Sequence, residues 1–197
     1  AIVFSDILLV PHVLGQKVNF KKNFGPDLQK INLNTLNEAK KEDFLKNLNP
    51  VYETIKETKN KLSSNSKDTI GFVGAPWTLL LYMLNRKSPK EGNFNVFSKD
   101  KYTHNILEKL DEFLKIHIEA QIKSGASIIQ IFDSWAGLIP EKDLEYFVYK
   151  PIKSLVDFIR QKKTISICFP RNINNYKKFV ENVKPDVISI DYNTDPS

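Results

Sequence analysis

The 197 residues are 41% hydrophobic and 26% charged, which suits one soluble globular unit, or a large piece of one, with enough chain to bury a sizeable core. The net charge of +6 comes mostly from Lys interleaved with Asp and Glu along the whole sequence, the pattern of a solvated surface and not the clustered basic stripe of a nucleic-acid binder. The single cysteine, Cys168, excludes an internal disulfide and a Cys-cluster metal site, and no apolar run approaches the length of a membrane span.

Residues 2–5 read as a strand that begins almost at Ala1, so a start further upstream and a cytoplasmic location are expected. A polar connection follows over residues 17–33. Asn49-Pro50 marks a helix start, because Pro at a first helical position loses no hydrogen bond, and Val51, Ile55 and Leu62 follow at helical spacing. A second strand is expected at 69–73, then another polar connection over 85–100. Leu107, Leu110, Leu114 and Ile118 stripe one face of a helix over 105–124, which Gly125 stops. After a strand at 127–132, Pro140 and Glu141 open a helical stretch that Pro151 breaks or restarts. A strand at 164–169, a helix at 174–183 and a strand at 187–191 complete the order. Cys168 falls inside an apolar run and reads as a buried small hydrophobe.

Short Ile-, Val- and Phe-rich runs alternating with amphipathic helices indicate an α/β fold with a parallel sheet buried on both faces. Periodicity leaves a doubly wound sheet and a (β/α) barrel both open. In either, chemistry gathers at the carboxyl ends of the strands. Those ends carry Ser5-Asp6, Ala75-Pro76-Trp77, Asp133-Ser134-Trp135, Pro170-Arg171 and Asp191-Tyr192, three of them with an Asp. No glycine-rich nucleotide loop and no G-x-S-x-G elbow is present. His12, His104 and His117 lack metal-ligand spacing, and His117 sits among apolar helix positions as a packed residue.

Three segments are more specific: F-S-D-I-L at 4–8, G-F-V-G-A-P-W-T-L at 71–79 followed by Tyr82-Met83, and Q-I-F-D-S-W-A-G at 130–137. In this order, with Pro11, Leu14-Gly15 and Gly25-Pro26, they resemble the uroporphyrinogen decarboxylases. The resemblance implies an eight-stranded (β/α)8 TIM barrel, of which residues 1–197 form one domain incomplete at both ends and holding about strands two to six. It also implies a homodimer, a tetrapyrrole substrate, no cofactor, and conversion of uroporphyrinogen III to coproporphyrinogen III. Asp6 is then the catalytic carboxylate, Tyr82 and Ser134 bind substrate, and Phe72 lines the pocket. An R-Q-A-G-R segment and a G-H-G-like segment of that family are absent here, and Arg86, Arg160 and Arg171 do not match the missing arginines. The alternatives are a methyltransferase of the same superfamily, which needs thiolate and His ligands, and a non-catalytic barrel remnant.

Overall fold

A computed structural model describes residues 1–21, 25–62, 67–89 and 98–195. In chain order the elements are α1 (Leu9–Val13), β1 (Val18–Lys21), β2 (Gly25–Leu28), α2 (Leu33–Asn37), α3 (Lys41–Leu62), β3 (Ile70–Gly74), α4 (Pro76–Asn85) and α5 (Lys101–Lys123). There follow β4 (Ile128–Asp133), a 3-10 turn (Ala136–Leu138), α6 (Glu141–Leu144), a π-helical turn (Glu145–Tyr149), α7 (Lys150–Gln161), β5 (Ile165–Pro170), α8 (Tyr176–Val183) and β6 (Val187–Ile188). The sheet runs β3-β4-β5-β6, every pair parallel, with Phe132 opposite Phe169 and Gly74 opposite Phe132. Strand, helix and next parallel strand in unbroken sequence order is the arrangement of a partial (β/α) barrel.

One face of the sheet is covered by helices. Ile129, Ile131 and Cys168 point into a core completed by Leu110, Phe113, Leu114 and Ile118 of α5 and Leu155, Val156 and Ile159 of α7. Burial alternates along β4 and β5, so the other face is only half covered. The expectation of strands buried on both faces is corrected there. That second face carries an aromatic row, Phe4–Phe72–Phe132–Phe169, with successive ring centroids 5.1, 5.4 and 6.2 Å apart.

Three further expectations change. Residues 2–5 make only one parallel bridge, Ile2 to Ile70, and Phe4 beyond it is 82% exposed, because the run finds a partner along one edge alone. The connection at 17–33 contains the β1–β2 hairpin, whose Leu28 amide donates to the Arg86 carbonyl and whose Leu28 carbonyl accepts from Arg86 Nε. Pro50 lies inside α3 and does not start it. Pro50 is exposed, while Phe44, Leu48, Tyr52 and Ile55 bury a continuous stripe on either side of it, so packing overrides the missing amide hydrogen bond. Pro151 is met differently: the π turn directly ahead of it widens the backbone and relieves the clash of its ring with the carbonyl four residues back. Within the expected connection at 85–100, residues 90–97 lie outside the described residues.

Candidate active site

The strand ends meet α4 in a tightly hydrogen-bonded rim. Pro76 sits at the first turn of α4, where its missing N–H costs nothing, and the Ala75 amide just before it donates to the Phe132 carbonyl at 2.7 Å. The Arg171 amide donates to the Asp133 carbonyl, and the Gly137 amide donates to the Arg171 carbonyl, both at 3.0 Å. These bonds carry the ladder one residue past β3 and β5 and fix where the next side chains stand. Gly137 is required by contact: a Cβ there would stand 2.3 Å from the Asn172 carbonyl oxygen.

A side-chain relay crosses the same rim. Trp135 N–H donates to Thr78 Oγ1 at 3.2 Å, and the Thr78 hydroxyl donates to Asp133 Oδ1 at 2.6 Å. Trp77 Nε1 donates to the Trp135 carbonyl at 2.9 Å. Asp133 is fully buried and its Oδ2 has no partner. Burial raises its carboxyl to about 7, against the opposing pull of the Thr78 hydroxyl and the Trp135 amide. The β4 alternation places Asp133 with Ile129 and Ile131 on the helix side, so its carboxyl braces the turn that displays Ser134.

A cavity of about 650 Å³ opens beside that turn, lined by Ser134, Trp135, Leu138, Arg171 and Asn172 among others. Tyr82 projects from α4, half-buried, its ring edge-on to Trp135 at 6.3 Å and its hydroxyl 3.5 Å from Ser88 Oγ, which donates to it. The structure therefore sets Tyr82 against Trp135, the residue next to Ser134 in the chain. Asp6 follows the run that bridges to β3, on the far side of β3 from β4. Its Oδ1 accepts the Leu8 amide at 2.8 Å, turning the chain into α1, and the next residue, Ile7, rests on Gly74 at the end of β3. Asp6 lines a separate, smaller cavity of about 220 Å³ with Leu8, His12, Val18 and Phe20. Phe72 lies 3% exposed within the aromatic row. No hydrogen bond joins Asp6, Tyr82 and Ser134 to one another.

Sequence reasoning passed over the Thr78–Asp133 relay and the placement of Arg171 beside Ser134. The lone acid closing an apolar strand was the available signal for the first. For the second, only the strand-end position of Arg171 was visible. His117 is packed, as its setting suggested: its Nδ1 lies 3.0 Å from the Tyr52 hydroxyl and burial lowers its pKa to about 4. Cys168 is buried and its thiol is pushed up, above all by desolvation, which makes it a poor nucleophile or metal ligand. Among the described residues no group of three His, Cys, Asp or Glu could hold a metal, and no helix is long and apolar enough to cross a membrane.

The family model for uroporphyrinogen decarboxylase (URO-D) matches residues 1–197. The uroporphyrinogen decarboxylase of Rickettsia bellii is 40% identical over 97% of this chain and 58% of its own length. That of Campylobacter fetus subsp. fetus is 38% identical over 98% of this chain and 58% of its own length. The chain thus spans less than two thirds of the curated relatives it matches. Among solved structures, a methyltransferase from Methanosarcina mazei superposes with a TM-score of 0.61 at 15% identity, covering 96% of this chain and 64% of that one, a likeness of fold.

Proposed function

This chain belongs to the uroporphyrinogen decarboxylase family, and from that membership we propose that it serves the decarboxylation of uroporphyrinogen III to coproporphyrinogen III, without a cofactor, in tetrapyrrole biosynthesis. Four acetate side chains each exchange a carboxylate for a proton: the C–C bond to the carboxylate breaks, carbon dioxide leaves, and a methyl group remains. The bond breaks heterolytically, so the electron pair it releases must be accepted. Protonating the pyrrole on carbon makes the ring a cationic electron sink.

A carboxylate fixed beside the ring stabilises that cation and accepts hydrogen bonds from the pyrrole N–H groups. Asp6 takes this role. Its Oδ1 is anchored by the Leu8 amide while Oδ2 has no partner among the described residues, so the charge is aimed without being neutralised by them. Tyr82 and Ser134 supply hydroxyls for the substrate periphery, Ser134 toward a carboxylate. Phe72 contributes an apolar wall that sharpens electrostatics near the ring. The same reading takes the working species to be a cytoplasmic homodimer.

Support comes chiefly from one observation: Asp6 and Ser134, identified by family segments far apart in sequence, follow parallel segments that flank β3, at the carboxyl end of the sheet where such folds place their chemistry. Incubating the protein with uroporphyrinogen III and separating the oxidised products by chromatography tests it. The expected result is a series losing one carboxyl at a time and ending at four. Recovery of unchanged octacarboxylate would overturn the assignment. The methyltransferase alternative has no comparable support, since Cys168, the one thiol, is buried on the helix side of β5.

A further inference from the structure

We propose that Arg171 is a substrate-binding residue whose guanidinium receives a peripheral carboxylate of the tetrapyrrole beside the Ser134 hydroxyl. This deepens the decarboxylase reading and rests on it.

Three observations carry the inference. First, the chain has three arginines, and two are engaged: Arg86 Nε donates to the Leu28 carbonyl, and Arg160 pairs with Asp157 and donates to the Lys184 carbonyl. The Arg171 guanidinium has no partner among the described residues. Second, the acids that could neutralise it are occupied elsewhere. Asp191 accepts from the Asn172 amide and the Tyr176 hydroxyl, and the Asp133 carboxyl is buried on the helix side against Thr78. Among the described residues that line the 650 Å³ cavity, Arg171 is the one cation and none carries a carboxylate, so an incoming anion meets a positive charge from them and no like charge.

Third, the backbone that presents Arg171 is fixed before any ligand arrives. Its amide donates to the Asp133 and Phe169 carbonyls, and its own carbonyl accepts from Gly137. Asn172, the next residue, is held in the left-handed region at φ 57° and tied to Asp191. A long cationic side chain on a rigid base, next to a hydroxyl and an indole, suits a planar carboxylate, which a guanidinium can grip with two parallel hydrogen bonds. The side chain is exposed, so its removal leaves the core untouched.

Fluorescence titration of the protein with uroporphyrin, the eight-carboxylate oxidised ring, and with coproporphyrin, which lacks the acetates, provides the test. Arg171→Gln is expected to weaken uroporphyrin binding about tenfold, with Arg171→Lys, which keeps the charge but not the paired hydrogen bonds, recovering only part of the loss and both variants unfolding at the wild-type temperature. In turnover, Arg171→Gln raises KM more than it lowers kcat. A matching loss for coproporphyrin assigns the contact to a propionate, and a loss confined to uroporphyrin assigns it to an acetate. If Arg171→Gln binds and turns over like wild type, the inference falls and the decarboxylase reading stands. If wild type neither binds uroporphyrin nor consumes uroporphyrinogen III, both fall together.

Discussion

A carboxyl group with no solvent contact and a single hydrogen-bonded oxygen holds its proton to higher pH than an exposed one. Asp133 is in that position, raised to about 7 by burial, whereas in the unfolded chain it titrates near its ordinary value. The native state therefore binds more protons than the unfolded state between roughly pH 4 and 7, and stability falls as pH rises through that window. His117 acts with the opposite sign: lowered to about 4, it makes the unfolded state the stronger proton binder up to about pH 6.5, so its contribution is lost as pH falls. Between pH 5 and 7, Asp133→Asn should gain on the order of 2 kcal/mol relative to wild type in urea unfolding. Parallel pH profiles for the two proteins would contradict a buried, proton-retaining Asp133. The presence of an acid at this strand end was legible in the sequence. Its direction, toward Thr78 and away from the cavity, was not, because that depends on which face α4 covers.

Local elements were legible where one pattern dominated and obscure where tertiary packing decided. Four of the five expected strands lie within a few residues of their places, since each is a compact run of β-branched and aromatic residues between turn signals. The hairpin at Val18–Leu28 gave no such signal: it is short, and Gly25 and Pro26 argue against a strand until Arg86 anchors it. Pro50 misled for the related reason that the buried stripe of α3 outweighs one lost hydrogen bond. Because Pro50 is exposed in the middle of 22 helical residues, Pro50→Ala should stabilise the protein by about 1–3 kcal/mol in denaturant unfolding. A destabilised variant would instead mean that the helix restarts at Pro50. Thr78→Val keeps the shape but removes the hydroxyl between Trp135 and Asp133, and is expected to cost about 1–3 kcal/mol. No measurable loss would show that the relay does not brace the rim.

For the molecule as a whole, four parallel strands and their helices place Asp6, Ser134 and Arg171 along one rim, with an aromatic row below. The side of the sheet that bears Phe4, Ile165 and Val187 is substantially exposed, an apolar surface of the kind that associates in water. With the proposed homodimer, light scattering should return about twice the 22.7 kDa of one chain, and a monomer at all accessible concentrations would remove that part of the proposal. The three family segments were readable because each joins an apolar strand to an unusual polar end. The architecture that sets those ends side by side was readable only as an implication of the resemblance, since periodicity does not distinguish an open sheet from a barrel. In the proposed reaction the role of Asp6 is to stabilise a protonated pyrrole during decarboxylation. Its most direct test is the rate of carbon dioxide release from uroporphyrinogen III by wild type and by Asp6→Asn, which keeps the size and the hydrogen bond to Leu8 but loses the charge. A fall of roughly a hundredfold to a thousandfold with the fold intact is the predicted result, and an Asp6→Asn protein as fast as wild type would contradict it.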